Sequence, residues 1–277
     1  MKNLTQELKN HYHITELYED IVNRLKEMDL DLKNITRKEI ASVDEFHVRG
    51  AAVSKELADS TITPGAHVLD IGSGLGGPGR LLADEFNCTV TGIDLSDEYV
   101  RTANLLSKLV SLEEKTKFVQ GDATNLPFEN SSFDVVWTQH VQMNIPDKQQ
   151  FYSEINRVLK SGGHLIYYDI FKNEEGEINY PMPWANSSDL SFLFTTMEMN
   201  LILNHLGMKE EHCTNQSKAG ILFFEGMLAK IQENGPPKLG LNVLMGASTK
   251  TKLVNLLEAL LEETILLQSG VFTKYTL

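Results

Sequence analysis

Cysteine is scarce in this chain. The 277 residues hold two, Cys88 and Cys213. Neither belongs to a C-x-x-C pair, and the histidines around them are irregularly spaced. That excludes a disulfide framework and a zinc site. Cys88 sits in the apolar stretch CTVTGID and reads as a buried strand thiol. Basic clusters are missing too. Lys and Arg number 25 against 38 Asp and Glu, a formal net charge of −13. A nucleic-acid substrate needs a basic surface to neutralise phosphates and is disfavoured, as is an anionic membrane surface. A cationic or neutral small substrate stays compatible. No apolar run approaches ~18 residues, so no membrane span is expected. The start, MKNLTQELKNHYH, is polar and helical and unlike a signal peptide. A reduced, cytoplasmic setting is the expectation. With 42% hydrophobic and 23% charged residues, the chain has the profile of an ordinary globular protein. Its length fits one large domain, or one domain with an appendage.

Glycine, by contrast, is concentrated in one place. Residues 68–80 read VLDIGSGLGGPGR, with Gly72, Gly74, Gly76, Gly77 and Gly79 following Asp70. The pattern predicts a buried strand, a tight turn and the start of a helix. Glycine permits positive φ and lets a ligand lie against the backbone. The helix start offers free N–H groups and the positive end of a dipole. Residues 72–77 satisfy G-x-G-x-x-G, the dinucleotide pattern. Residues 70–76 also resemble the D-x-G-x-G-x-G loop of class I methyltransferases that use S-adenosylmethionine (SAM). The acid favours SAM, because a carboxylate repels a pyrophosphate and attracts the ammonium of a methionine moiety. An NAD(P)-dependent oxidoreductase remains the alternative on this loop alone.

Upstream, Leu4, Leu8, Tyr12, Leu17, Ile21, Leu25 and Met28 keep helical spacing. Thr36 and Glu39 have the capping-box form. Residues 1–45 are therefore expected to be a helical segment, either packed on the core or acting as a lid, with the main domain at 46–277. In DEFHVRG (44–50), Arg49 could meet the SAM carboxylate or close the lid by a surface ion pair. His47 could line the active site or cap a helix.

Downstream, strands are expected at 67–71, 88–94, 116–120, 132–138 and 165–171, with helices at 51–62, 78–86, 96–110 and 147–160. This alternation argues a doubly wound α/β sheet. Asp94 ends the second strand, 20 residues after Gly74, where an acid accepts from ribose hydroxyls. Ser96 is the better helix cap there and frees Asp94 for that role. Asp122, past the third strand, can accept from an adenine amine, with Leu126 and Phe128 as apolar walls, or it can be a turn acid. QHVQMN (139–144) follows the fourth strand, at the edge where open α/β sheets bind ligands. His140 is the candidate proton acceptor, with an unperturbed pKa of about 6.5, or a hydrogen-bonding group for backbone or cofactor. Asp169 lies near the same end of the fifth strand. Ser161-Gly162-Gly163 reads as a helix stop. Residues 176–189 read as an irregular substrate-side loop, in which Tyr180 and Trp184 could contact a cationic substrate through their faces or pack the loop onto the core. A further helix (195–206) and strand (208–213) precede a helical insertion at about 214–263, and 264–275 reads as a terminal strand.

Taken together, the motifs resemble the class I SAM-dependent methyltransferases, in particular the small-molecule group with ubiquinone/menaquinone C-methyltransferases and sarcosine/dimethylglycine N-methyltransferases. The similarity runs from Phe46 to about Gly207. It is carried by VLDIGSGLGG, GIDLS, GDATNLPF, FDVVWT followed by QHV, and GGHLIYYD. The resemblance implies a Rossmann-like, seven-stranded sheet whose last strand, 264–275, is antiparallel. It implies SAM as cofactor, with Asp70, Gly72 and Gly74 at the methionine moiety. It puts Asp94 and neighbouring Leu95 at the ribose, Asp122 and Ala123 at the adenine, and Gln139 near the methionine end. Arg80, in a GGxxR-like continuation, is carried with them. Ser73 stands where many members have cysteine, at a contact made mostly by backbone.

The implied reaction is direct displacement. A nucleophile on a small molecule attacks the sulfonium methyl and S-adenosylhomocysteine leaves, the protein supplying positioning and exclusion of water. No metal is called for. A tertiary amine needs no base; a hydroxyl, thiol or carbon acid does, and His140 is the candidate. Nitrogen is preferred as the methylated atom, with C- or O-methylation of a quinone-like molecule as the alternative. Monomer and homodimer both stay open.

Overall fold

The structure, a computed structural model, describes residues 16–173 and 176–275. Leu4, Leu8 and Tyr12 lie outside them. Three helices come first: α1 (Leu17–Glu27), α2 (Arg37–Asp44) and α3 (Ala51–Thr61). The alternating core follows as β1 (His67–Ile71), α4 (Gly77–Glu85), β2 (Thr89–Asp94), α5 (Asp97–Leu109), β3 (Thr116–Gln120), β4 (Phe133–Gln139), α6 (Lys148–Val158) and β5 (Leu159–Lys172). The chain then runs through α7 (Thr196–His205), β6 (Met208–Asn215), α8 (Ser217–Asn234), α9 (Asn242–Met245), α10 (Thr249–Leu261) and β7 (Ile265–Lys274).

The seven strands lie in the order β3-β2-β1-β4-β5-β7-β6. β1 to β5 are parallel, and β7 enters antiparallel between β5 and β6. The last strand is thus antiparallel, but it is an interior strand rather than an edge. Successive side chains on a strand point to opposite faces. Val68, Val135, Trp137, Ile166 and Tyr168 accordingly join one core, under α3, α4, α8 and α10. Leu69, Val136, Leu165, Tyr167 and Phe171 join the other, under α6 and α7. With both faces covered, the strands read as nearly continuous apolar runs.

One expected boundary shifts. β5 begins at Leu159, paired with Phe133, and not at 165. Ser161-Gly162-Gly163 is therefore an irregular start to the strand. Gly162 takes φ 76°, and a Cβ on Gly163 would come within 2.9 Å of the Asp134 carbonyl oxygen.

The N-terminal helices pack where the glycine loop meets α5. Thr36 and Glu39 form the expected capping box of α2. Leu17, Ile21, Leu25, Ile40 and Val43 bury against Leu75, Tyr99 and Leu106, and Leu239 from the segment between β6 and β7 joins them. Arg80 fixes this junction. It is fully buried, with Nη2 at 2.6 Å from Asp44 Oδ2 and Nη1 donating to the Ala103 carbonyl (3.0 Å) and Ser107 Oγ (3.2 Å). Nη2 also donates to the Leu75 carbonyl in the glycine loop. Its expected place beside the cofactor is corrected: the guanidinium is consumed by structural partners.

Removing one member of a buried ion pair strands the other charge. Arg80→Ala should cost about 3–5 kcal/mol in urea denaturation, whereas Asp44→Leu with Arg80→Met, which removes both charges, should cost distinctly less.

Candidate functional site

A pocket opens at the carboxyl ends of the parallel strands, where the chain order reverses between β1 and β4. This is the crevice in which open α/β sheets place ligands. Its floor is the glycine loop. Gly72 takes φ 68°, and a Cβ there would meet Val141 at 2.5 Å, so only glycine fits. Gly74, at φ 52°, faces open space and presents bare backbone to the pocket. α4 follows with Pro78 near its N-terminus, where the missing N–H costs nothing.

Asp70 comes up from β1 into this floor. It is 2% exposed, and its Oδ2 has no hydrogen-bond partner. Burial, reinforced by the charge of Asp94, pushes its pKa from an ordinary 3.8 to about 8, against the pull of Arg80. Asp94 ends β2 and accepts from Gly74 N and Ser96 N, both at 2.9 Å. Burial raises its pKa and those amides hold it back. Ser96 caps α5 through Tyr99 N, as expected. Asp122 lines the far wall with Ala123. One of its oxygens accepts from Thr124 N and Oγ1, so the turn role is real.

The opposite wall comes from the end of β4. Trp137 and Gln139 point to the same face as α3. Trp137 Nε1 donates to Gln139 Oε1 at 2.9 Å, and Ser54 Oγ donates to the same oxygen at 3.2 Å. His47 sits beside Ser54, with Nε2 at 3.0 Å from both Ser54 Oγ and the Gly50 carbonyl oxygen. His140 takes φ 55°, unusual for a non-glycine residue, and its N–H donates to the Tyr168 carbonyl at 2.9 Å. Its ring stands 5.1 Å from that of Tyr168 and 6.3 Å from that of His47. Burial, then the neighbouring His47, lowers its pKa well below the usual imidazole value. Behind them Asp169 accepts long hydrogen bonds from Val141 N and Gln142 N, both 3.4 Å, and shapes the turn after His140.

Asp70, Gly72, Gly74, Asp94, Leu95, Asp122, Ala123, Gln139 and His140 therefore share one pocket, joined by Phe46 and His47. Three residues expected near it do not line it. Arg49 turns outward, donating to Glu56 Oε2 (2.7 Å) and Gln216 Oε1 (3.0 Å), which is the ion-pair alternative. Trp184 is 3% exposed within the core, its indole N–H satisfied by Ser191 Oγ at 2.9 Å. Tyr180 packs against the same core. Burying these rings gains more than exposing them would, so they anchor the loop. Asn144 and Lys148 complete the anchoring: Asn144 Nδ2 donates to the carbonyls of Trp184 and Leu190, and Lys148 Nζ to those of Gln142 and Phe192. Ser54 and Trp137 went unnoticed in the sequence, where a serine inside AAVSKEL and a tryptophan inside an apolar strand carry no site signal.

Four pocket residues end in buried polar atoms without partners: Asp70 Oδ2, Ser73 Oγ, Gln139 Nε2 and His140 Nε2. Such orphans are costly unless a ligand satisfies them. A carboxylate for an ammonium, acids at two further strand ends and an amide donor fit the methionine, ribose and adenine groups of SAM. Among the described residues, no cluster of three or more His, Cys, Asp or Glu is arranged to hold a metal, and no helix is long and apolar enough to cross a membrane.

Comparisons with known proteins agree with that fit. Residues 69–167 match the family model of a methyltransferase domain. A sterol 24-C-methyltransferase of Gibberella zeae is 39% identical over 121 residues, 42% of this chain and 32% of that one. A sarcosine/dimethylglycine N-methyltransferase of Halorhodospira halochloris is 26% identical over 186 residues, 67% of this chain and 65% of that one. The chain thus spans about a third of the first relative's length and just under two thirds of the second's. The crystal structure of a putative sarcosine dimethylglycine methyltransferase from Galdieria sulphuraria superposes with a TM-score of 0.68 at 16% identity, covering 93% of this chain and 98% of that one, and shows the same fold. The sheet order, the acid-bearing glycine loop and the domain match show a methyltransferase domain on a class I, Rossmann-like fold, with SAM as its cofactor.

Proposed function

We propose that the protein transfers the methyl group of SAM to a small-molecule acceptor, with nitrogen the preferred atom. The observation that carries the reading is the buried, unpartnered carboxylate of Asp70 in the glycine loop, in one pocket with Asp94 and Asp122. When bound, SAM supplies a methyl group already activated by its sulfonium charge. The chain then has to hold, orient and exclude water. Asp70 receives the ammonium, Asp94 with Leu95 the ribose, and Asp122 with Ala123 the adenine. Gln139 and His140 face the methionine end and the acceptor. Of the expected 1–45 segment, the described residues 16–45 serve as a lid, with Asp44 at the pocket wall. The preference for nitrogen is supported by the N-methyltransferase relative, whose similarity covers 67% of this chain and extends well beyond the cofactor loop.

The first test is isothermal titration with SAM, S-adenosylhomocysteine and NADH. Binding of the first two alone is expected; binding of NADH without SAM would return the glycine loop to the dinucleotide reading.

Asp70 gives a prediction with two opposite signs. Its folded pKa, about 8, lies above the ordinary 3.8. The folded state therefore holds the extra proton between those values, and this group lowers stability as pH rises from about 4 to about 8. Asp70→Asn should remove that slope and raise the melting temperature of the ligand-free protein at pH 8 by about 2–4 °C. It should also weaken SAM roughly 10-fold or more, the worth of a hydrogen bond to a charged group. Wild type, unlike the variant, should release a proton on binding SAM at pH 7, seen by titration in buffers of different ionisation enthalpy.

His140→Ala should lower turnover at least about 10-fold while SAM affinity holds within a few fold. Unchanged turnover would remove His140 from the acceptor side.

A further inference from the structure

The hydrogen-bond donors behind the pocket wall determine which polar atoms face the acceptor. An indole N–H can only donate. The Gln139 atom 2.9 Å from Trp137 Nε1 is therefore the amide oxygen, which Ser54 Oγ also approaches at 3.2 Å. The amide nitrogen is left as a buried donor without a protein partner. A carbonyl oxygen can only accept. His47 Nε2, 3.0 Å from the Gly50 carbonyl oxygen, therefore carries the ring hydrogen. Burial lowers the pKa of His47 to about 4, so the ring is neutral at neutral pH and Nδ1 carries its lone pair. Both side chains rest on one hydroxyl, Ser54 Oγ, and both line the pocket.

We propose that the methyl acceptor is a protic heteroatom, an O–H or N–H group, held between Gln139 Nε2 as donor and His47 Nδ1 as proton acceptor. The proposal rests on the methyl-transfer reading above and narrows its substrate class. A group with both a lone pair and a proton satisfies both side chains. An alkene carbon or a tertiary amine brings no such proton and would leave Nδ1 unpaired. Gln139 Nε2 has two hydrogens, so serving the acceptor does not exclude the cofactor's methionine end.

The step balances without a further reactant. The acceptor's lone pair forms the new bond to the methyl carbon, the S–CH3 bond breaks, and sulfur keeps that pair. The acceptor's proton passes to Nδ1, leaving His47 an imidazolium. Positive charge therefore arrives on His47 as it is lost from sulfur, and the pocket never holds both. The groups facing this ring suit the change. Glu45 Oε2 lies 3.4 Å from Nε2, and the rings of His140 and Tyr168 stand 6.3 Å away. Burial and the charge of Asp44 raise the Glu45 pKa well above the usual carboxylate value, and a cation formed beside it would pull it back down. Asp44 and Asp70 line the same pocket.

The test has one spectroscopic arm and two kinetic ones. NMR of the nitrogen-labelled protein with S-adenosylhomocysteine should show His47 as the Nε2–H tautomer from pH 6 to 8; the Nδ1–H tautomer would overturn the proposal. Radiolabelled-methyl SAM is then offered with hydroquinone, sarcosine, dimethylglycine and geranyl diphosphate. Label on hydroquinone or sarcosine alone is expected. Label only on dimethylglycine or geranyl diphosphate, or on none of the four while SAM binds, would overturn it. His47→Gln keeps a donor for the Gly50 carbonyl and removes the base. It should retain SAM affinity within about 3-fold and lose roughly 100-fold in turnover. His47→Ala should regain turnover with added imidazole, which a merely structural role would not allow. Full turnover in His47→Gln refutes the role; if that variant does not fold, the tautomer and the acceptor panel decide. Failure of the wild type to bind SAM would instead be failure of the methyl-transfer reading itself.

Discussion

Burying carboxylates at one sheet edge without a cation to meet them is the constraint on which this structure turns. Asp70 is buried and Asp94 stands half-buried beside it, where the charge of Asp94 raises the cost of ionising Asp70. The nearest protein cation, Arg80, is held by Asp44 and by the carbonyls of Leu75 and Ala103. Backbone amides of Gly74 and Ser96 pacify Asp94, but no group of the described residues hydrogen-bonds Asp70 Oδ2. A fold that tolerates such a group is holding a place for a cation from outside, and the glycine loop leaves that cation room. The stability given up by burying that carboxylate reappears as selectivity for a ligand carrying an ammonium at that point.

The same constraint explains which half of the site could be read from the residues. The cofactor half is built from strand ends, and strand ends announce themselves: an apolar run, then an acid, then glycine or a turn. Asp70, Asp94 and Asp122 are one residue type at three successive ends, and the parallel order of β1, β2 and β3 brings them into one pocket. β3 was legible to the residue, because Thr116–Gln120 is short and bounded by turns. The start of β5 was not, because Ser161-Gly162-Gly163 carries a stop signal that pairing of Leu159 with Phe133 overrides. The interior position of β7 was also invisible. An amphipathic strand at the end of a chain looks the same whether it closes an edge or slips between two neighbours.

The acceptor half was harder because its parts act through a fold contact rather than a local pattern. Tyr180 and Trp184 had the right chemistry for a substrate wall but a stronger claim to the core, against which Tyr180 packs half-buried and in which Trp184 is buried with its indole N–H on Ser191. Ser54 had no visible chemistry at all. Its role exists only because α3 lies over the face of β4 that Trp137 and Gln139 share. The two-residue period of a strand makes Trp137 and Gln139 neighbours, and only the third dimension adds the hydroxyl.

That arrangement ties the acceptor end to the N-terminal segment. The connection from α2 to α3 supplies Asp44, Phe46 and His47 to the pocket, and α3 supplies Ser54 behind it. The connection is pinned at one end by Asp44 on Arg80, which also grips the glycine loop through the Leu75 carbonyl. It is held at the other by Arg49 on Glu56 and Gln216. A displacement of this segment would move His47 away from Gln139 and Asp44 away from the cofactor loop together. Proton acceptance and cofactor enclosure are therefore properties of one mechanical unit. An acceptor group can meet its base only when the wall over the cofactor is also in place, which is the condition that excludes water from an activated methyl group.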